Sequence, residues 1–84
     1  MMELKDTVEL MNSEDYKDRF KAEYLQTKIR CEKLHTMLVK LDAGVLDFTP
    51  SCPAINLKQQ ERSMNDYLKT LEVRAAIEGI DLTA

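Results

Sequence analysis

Apolar residues recur along the first half of the chain at alternating spacings of four and three residues. The series runs from Phe20 to Leu41 without a Gly or Pro. This spacing is typical of a helix that presents one apolar seam to a partner helix. The seam consists of Phe20, Tyr24, Thr27, Cys31, Leu34, Leu38 and Leu41. We therefore predict a long helix over residues 13–42, with Asn12 and Ser13 as candidate caps at its start and Gly44 as its stop.

A second apolar face follows the two prolines. Residues 43–55 contain both prolines and predict a rigid connector. Asn56 with Gln59 resembles a capping box, and Gly79 supplies a stop, so we predict a helix over residues 56–78. Because the connector is short relative to the helices, we expect them to return antiparallel.

The fold class that follows is all-α. We predict an antiparallel two-helix hairpin over residues 13–80. It is preceded by a short helical arm over residues 1–12, in which apolar residues recur at helical spacing. A tail over residues 81–84 follows the hairpin.

Some apolar residues lie off the seam of the first helix and off the apolar face of the second, which consists of Leu57, Met64, Tyr67, Leu68, Leu71 and Ala75. These off-seam residues are Leu25, Ile29, Val73 and Ile77. Two helices alone would leave these side chains in water, so they predict an interface between copies and a homo-oligomeric helical bundle. The alternative is that the arm and the connector cover these faces.

Composition limits the classes of function. The chain has 84 residues, of which 44% are hydrophobic and 32% are charged, and its net charge is -3. So small a domain has a thin core, and an acidic chain is a poor ligand for duplex nucleic acid. No apolar run is long enough for a membrane span or a signal peptide, and Cys31 and Cys52 form no disulfide framework. We therefore expect a cytoplasmic protein with free thiols and no membrane partner.

The net charge conceals a basic stretch. Residues 16–40 contain seven Lys and Arg against three Asp and Glu. Lys17 and Lys28 are eleven residues apart, as are Arg19 and Arg30, and eleven residues is close to three helical turns. Each pair therefore shares a face and predicts a basic strip for a small anionic ligand. The alternative is a solvated face braced by ion pairs between neighbouring turns.

Motifs for catalysis do not occur. The sequence has no Gly-rich phosphate loop and no nucleophile placed beside a base. Cys31 and His35 share a helical face, but two ligands do not make a metal site. We expect a protein that is not an enzyme and that has no metal and no cofactor.

Three segments resemble a known family. They are MNSEDYKDRFKAEYLQTKIRCEKLHTML (residues 11–38), AGVLDFTPSCP (43–53) and LKQQERSMNDYLKTLEVRAAIEGI (57–80). In this order they resemble the small phage and prophage helical-hairpin proteins related to the anti-CBASS and anti-Thoeris signal sponges. The positions that match the hairpin pattern are Tyr16, Arg19, Glu23, Lys33, Leu34, Gln60, Met64, Tyr67 and Arg74.

The resemblance implies a phage protein that evades host immunity without catalysis. Such proteins assemble into dimers and often hexamers, and they sequester cyclic di- or trinucleotides or cyclic ADP-ribose isomers between subunits. On this hypothesis the protein acts in the cytoplasm of the infected bacterium, and Tyr16 stacks on a base. The residues that would contact phosphates are Lys17, Arg19, Arg30, Lys33 and Arg74. The alternative is a ligand-free hairpin that serves as an oligomerisation or protein-interaction module.

Overall fold

The computed structural model describes residues 2–83, and this part of the chain is helical without strands. A 3₁₀ turn spans Leu4–Thr7, and the helices are α1 (Val8–Met11), α2 (Tyr16–Ala43) and α3 (Ala54–Glu78). The longest dimension of the molecule is 43 Å, which is the length of α2 at about 1.5 Å per residue. Met1 and Ala84, the outermost residues of the predicted arm and tail, lie outside the described residues.

The first long helix begins three residues later than predicted. Its N-cap is Asp15, whose carboxylate accepts the backbone N–H of Lys17 at 2.9 Å. Ser13 does not cap the helix, because its hydroxyl accepts the N–H of Asp15 and donates to the carboxylate of Asp18 at 2.8 Å. The sequence offers several capping residues in a row, and the one nearest the first apolar turn is used.

The helix stop at Gly44 is confirmed. Gly44 has a φ of 76°, which a side chain would disfavour. The N–H of Val45 donates to the carbonyl of Lys40 at 3.0 Å, and the N–H of Gly44 donates to that of Leu41 at 3.1 Å. These two bonds form a Schellman motif, which satisfies the last carbonyls of α2.

The second long helix begins two residues earlier than predicted. Pro53 is its N-cap, and the Pro53 carbonyl accepts the N–H groups of Asn56 and Leu57. A proline fits there because its missing N–H would have no helical partner. Asn56 therefore lies inside the first turn, and Gln59 bonds to Ser63 instead of closing a capping box. The stop at Gly79, with a φ of 69°, is confirmed.

Contacts between the two long helices establish the antiparallel hairpin. Side chains early in α2 meet side chains late in α3, and the order reverses toward the connector. The contacting pairs are Tyr16–Glu78, Phe20–Arg74, Tyr24–Glu72, Cys31–Asn65, His35–Glu61 and Asp42–Lys58. They fix which residues of the two helices lie side by side.

The core lies between α2 and α3. The buried cluster combines Phe20 and Tyr24 of the predicted seam with Leu68, Leu71 and Ala75 of α3. Leu71 is the most enclosed of them, with 1% of its surface exposed. One layer of side chains between two helices is a thin core, as expected for a chain of this length.

The arm and the tail cover the opposite face of α2. Leu25 and Ile29 lie there, and each is only 8% exposed within the single chain. Leu10 of α1 and Leu82 of the tail pack against the cluster that contains Leu25. The prediction of Leu25 and Ile29 as interface residues therefore needs correction, because the chain's own arm and tail bury them. The alternative named the arm and the connector; the arm does cover this face, but the residues that pack beside it come from the tail.

A buried threonine holds the arm against α2. Thr7 is fully buried; its hydroxyl donates to the carbonyl of Leu4 at 2.7 Å and accepts from the amide of Gln26 at 2.8 Å. We expect Thr7→Val to lower the free energy of unfolding by about 1–2 kcal/mol, because both bonds are lost. Denaturant titration would measure this loss. The control is Thr36→Val, since Thr36 is exposed and bonds only within α2; an equal loss in both variants would contradict the role of Thr7.

No helix in residues 2–83 has the combination of length and apolarity needed to cross a membrane.

Candidate functional site

The hairpin has two flanks, one on each side of the plane that contains α2 and α3. Successive residues of an α-helix are rotated by about 100°. Arg19 and Arg30 therefore lie on one flank of α2, and Lys17 and Lys28 lie on the other. The two basic pairs each share a face, as predicted, but they do not form one strip. We call the first side the arginine flank, formed by Tyr16, Arg19, Arg30, Tyr67 and Arg74, and the second the lysine flank, formed by Lys17, Tyr24, Lys28, His35, Glu61 and Glu72.

One end of the arginine flank is held together by Glu78. The hydroxyl of Tyr16 donates to Oε1 of Glu78 at 3.0 Å, and Nε of Arg74 donates to Oε2 at 3.1 Å. The guanidinium of Arg74 also lies over the ring of Phe20, 4.8 Å from its centre. The structure thus brings Tyr16 and Arg74 together on one carboxylate. Their bonds to Glu78 fix both side chains at the edge of the contact between α2 and α3.

The Glu78 bond also favours the protonated form of the Tyr16 phenol. Hydrogen bonding to this carboxylate raises the pKa of Tyr16 above its usual value. The ring is half-exposed, with 48% of the residue accessible. A fixed, exposed aromatic ring beside a guanidinium is the arrangement on which a nucleobase can stack while its phosphate meets a charge.

Tyr67 occupies the middle of the arginine flank. The pairing of Tyr16 with Glu78 and of Phe20 with Arg74 places Tyr67 opposite Thr27, next to Arg30. Tyr67 is 42% exposed, and Arg30 is exposed as well. Tyr67 was not predicted as a ligand residue. Its position two turns before Arg74, on the same side of α3, is the sequence signal that could have identified it.

Arg19 lies at the edge of the same flank. Its Nη1 donates to the backbone carbonyl of Ser13 at 2.8 Å, which braces the turn before α2. The flank then carries three guanidinium groups, and its carboxylates are Glu23 and Glu78. The balance is positive, although the whole chain is acidic.

The two lysines among the predicted ligand residues, Lys17 and Lys33, lie outside the arginine flank. Lys17 lies on the lysine flank, at the opposite side of α2. Lys33 lies on the back of α2, where it lines a shallow groove with Met37 and Phe48 near the connector. Of the six predicted ligand residues, Tyr16, Arg19, Arg30 and Arg74 therefore share one surface, and Lys17 and Lys33 do not belong to it.

The outer face of α3 exposes apolar side chains. Val73 and Ile77, both predicted at an interface, are 51% and 79% exposed. Ile55 is 77% exposed and lies five turns before Val73 on the same side of the helix. Ile55 was missed because it falls in the predicted connector. The structure places it in the first turn of α3 instead.

Tyr24 is the most strongly perturbed group on the lysine flank. Burial raises its pKa from 10.0 to about 12, assisted by the hydrogen bond from its hydroxyl to Glu72 at 2.6 Å. A raised pKa means that the folded state favours the protonated phenol. The stability from this site is fully present below pH 10 and is lost as the pH rises through about 12.

We therefore expect wild type and Tyr24→Phe to differ in their alkaline stability. Below pH 10 the wild type should be more stable by about 1 kcal/mol, because the variant lacks the bond to Glu72. Between pH 10 and 12 this advantage should shrink and then reverse. Denaturant titrations of both proteins at each pH measure the difference in stability. The ionisation of lysines affects both proteins equally and therefore does not contribute to this difference. A difference that stays constant across this range would contradict the assignment.

Cys31 and His35 interact with α3. The thiol of Cys31 donates to the amide oxygen of Asn65 at 3.4 Å, and burial raises the pKa of this thiol. Nδ1 of His35 lies 2.5 Å from the carboxylate of Glu61. In the described part of the chain, no group of three or more His, Cys, Asp or Glu side chains could hold a metal ion.

The profile of the Sequestin family matches residues 14–77. No curated protein and no solved structure matches the chain. The matched segment contains all of α2, the connector and all but the last residue of α3, and hence the arginine flank. The resemblance to the phage sponge proteins is confirmed at this level: the chain belongs to the Sequestin family, whose name denotes the sequestering of a ligand.

Proposed function

We propose that this protein is a phage-encoded sponge, which binds and sequesters a cyclic nucleotide signal of bacterial immunity at subunit interfaces without turnover. The observation that carries the proposal is the arginine flank. It combines fixed guanidinium groups with exposed tyrosine rings in a chain whose family is named for sequestration.

The roles of the side chains follow from their chemistry. Arg30 and Arg74 present planar groups with several N–H donors, which suit phosphate oxygens. Tyr67 and Tyr16 present rings for bases, with Tyr67 lying between Arg30 and Arg74 along the flank. Arg19 adds positive charge at the edge, although its bond to Ser13 makes it a bracing residue first.

Sequestration requires tight binding and no turnover. The proposed ligand residues are arginines, which bind phosphate oxygens, and tyrosines, whose rings stack on bases. We therefore expect affinity without hydrolysis, and we propose that the protein is not an enzyme. Binding to the sponge lowers the free concentration of the signal below the concentration that activates its receptor.

A second copy of the chain would complete the site. Two helices packed side by side leave only a shallow groove. A single chain therefore covers only one face of a ligand on the arginine flank and leaves the other face in solvent. Tight small-ligand sites bury most of the ligand surface. Self-association that places a second flank beside the first would supply the missing contacts.

Isothermal titration tests the proposal. Cyclic dinucleotides, cyclic trinucleotides and cyclic ADP-ribose isomers are titrated into the protein, with linear dinucleotides of the same bases as the matched control. We expect one cyclic class to bind at micromolar affinity or tighter, and its linear counterpart to bind more weakly because it must be ordered on binding. Absence of heat with every cyclic ligand, at concentrations where the protein self-associates, would overturn the proposal.

The exposed apolar face of α3 supports a second candidate, a protein-interaction module without a nucleotide ligand. It predicts that Val73→Asp abolishes protection of the phage while Tyr16→Ala and Arg19→Ala leave it intact. Phage plaque assays on an immune host distinguish the two, since the sponge requires the arginine flank.

A further inference from the structure

The outer face of α3 carries a second heptad pattern, on the side turned away from α2. Its positions are Ile55, Gln59, Arg62, Asp66, Lys69, Val73 and Ala76, at alternating spacings of four and three residues. Ile55 and Val73, the large apolar residues of this seam, are 77% and 51% exposed, and the charged residues between them are exposed too. Residues at this spacing form one stripe along the helix, and because most of them are polar, a helix that pairs with this seam must match its charges.

The charged centre of this seam lacks partners within the chain. Arg62 and Asp66 lie one turn apart, and the ion pairs found among residues 2–83 include neither of them. An ion pair between neighbouring turns would be available to them, yet the side chains do not form it. Both charges therefore remain available to an opposing helix.

The seam matches a second copy of itself that runs in the opposite direction. When a second α3 runs antiparallel with its dyad near residue 64, Arg62 of each copy faces Asp66 of the other. In the same register Ile55 faces Val73. Gln59 then faces Lys69, whose ammonium can donate to the amide oxygen. Each charge meets an opposite charge or an acceptor, and the large apolar residues meet each other.

We propose that two copies of this chain associate through an antiparallel α3–α3 pairing, with Arg62 of each copy against Asp66 of the other. The pairing is isologous, so one contact formed twice closes the dimer. It specifies the contact for the self-association on which the proposed function rests. The pairing itself requires no ligand.

Two antiparallel registers shifted by seven residues also bring positions of the seam together. In one of them Asp66 faces Ile55 and Arg62 faces Gln59, so the carboxylate meets an apolar side chain. In the other, Asp66 faces Lys69 and Arg62 faces Val73. Ile55 would then face Ile80, which already packs against the core of its own chain. That register leaves a guanidinium against an apolar side chain and separates Ile55 from Val73. The arrangement centred on Arg62 and Asp66 is therefore the better match.

The interface is small. From Ile55 to Val73 the seam extends about 27 Å along the helix, and its centre is charged. A contact of this size lies at the lower end of specific interfaces. We therefore expect a dissociation constant in the micromolar range.

The pairing joins the two arginine flanks. In an antiparallel pair related by a dyad, equivalent flanks fall on the same side of the assembly. Tyr67 lies three residues from the dyad, so the two Tyr67 side chains are separated by about 9 Å along the helix axis. A ligand that straddles the dyad would meet Tyr67 from both copies, whereas the two Arg74 residues lie about 30 Å apart along the helix axis. This arrangement gives the proposed nucleotide site its second wall.

Charge exchange at the centre of the seam tests the pairing. Sedimentation equilibrium without nucleotide measures the association of wild type, Arg62→Asp and Asp66→Arg. Wild type should associate, and each variant should associate at least about tenfold more weakly, because each places like charges face to face. An equimolar mixture of the two variants should recover the wild-type dimer, since a chain with two carboxylates at the centre of its seam then faces a chain with two guanidinium groups there.

The mixture distinguishes the proposed register from the one that pairs Asp66 with Lys69. In that register Asp66→Arg would oppose Lys69 in any combination, so a mixture that stays monomeric overturns the proposed pairing. A wild type that remains monomeric at millimolar concentration overturns it as well. Circular dichroism should show unchanged helicity in both variants, because the positions are exposed. Nucleotide binding by a monomeric wild type would contradict the dimer while preserving the proposed ligand.

Discussion

Leu71→Ala should lower the free energy of unfolding by about 3 kcal/mol or more. Leu71 is 1% exposed and packs at the centre of the cluster between α2 and α3. Truncation of a buried leucine removes its burial and leaves a cavity, at a cost of about 2–5 kcal/mol. A domain of this length has about 4–13 kcal/mol of stability in total. A single substitution can therefore remove much of it.

Denaturant titration followed by circular dichroism measures this loss. The matched control is Val39→Ala, on the exposed surface of α2, where Val39 is 52% exposed. It should change the stability by about 0.5 kcal/mol or less. A loss below about 1 kcal/mol for Leu71→Ala would contradict the placement of the core.

Combining Arg30→Glu with Tyr67→Ala should weaken nucleotide binding at least about a hundredfold. A hydrogen bond to a charged group contributes about 1.5–3 kcal/mol. Stacking of a base on an aromatic ring contributes about 1–3 kcal/mol, and the new carboxylate repels phosphate. Both side chains are exposed. The variant should therefore retain its thermal melt, which separates loss of binding from loss of folding.

Lys17→Glu is the matched control for this experiment. It changes the net charge of the chain by the same amount as Arg30→Glu, but on the lysine flank. Titration should show an affinity within about threefold of wild type, because an exposed charge at this distance is largely screened. Equal losses from Lys17→Glu and Arg30→Glu would show that overall charge, and not the arginine flank, governs binding.

The antiparallel hairpin could be predicted from local features. The seam from Phe20 to Leu41 and the stops at Gly44 and Gly79 depend on helical periodicity and on backbone conformation, which short stretches of sequence determine. The helix starts were less predictable. Ser13, Asp15 and Pro53 can all stand at a helix N-terminus, and their bonds to neighbouring backbone groups decide which of them does.

The composition of the candidate site could be predicted only in part. Helical spacing showed that Arg19 pairs with Arg30 and that Lys17 pairs with Lys28. It did not show that these pairs lie on opposite flanks, because the direction of α3 relative to α2 decides which side is which. The burial of Leu25 depends on the docking of the arm through Thr7 and Gln26. That contact spans nineteen residues of sequence and follows no local pattern.

Recovery of the nucleotide after binding is the most direct test of sequestration. The protein is mixed with a slight excess of the cyclic nucleotide that it binds, free ligand is removed, and the complex is denatured by heat. We predict that chromatography of the supernatant recovers the bound nucleotide intact and in stoichiometric amount. Recovery of a linearised or hydrolysed product in its place would contradict a sponge and indicate an enzyme.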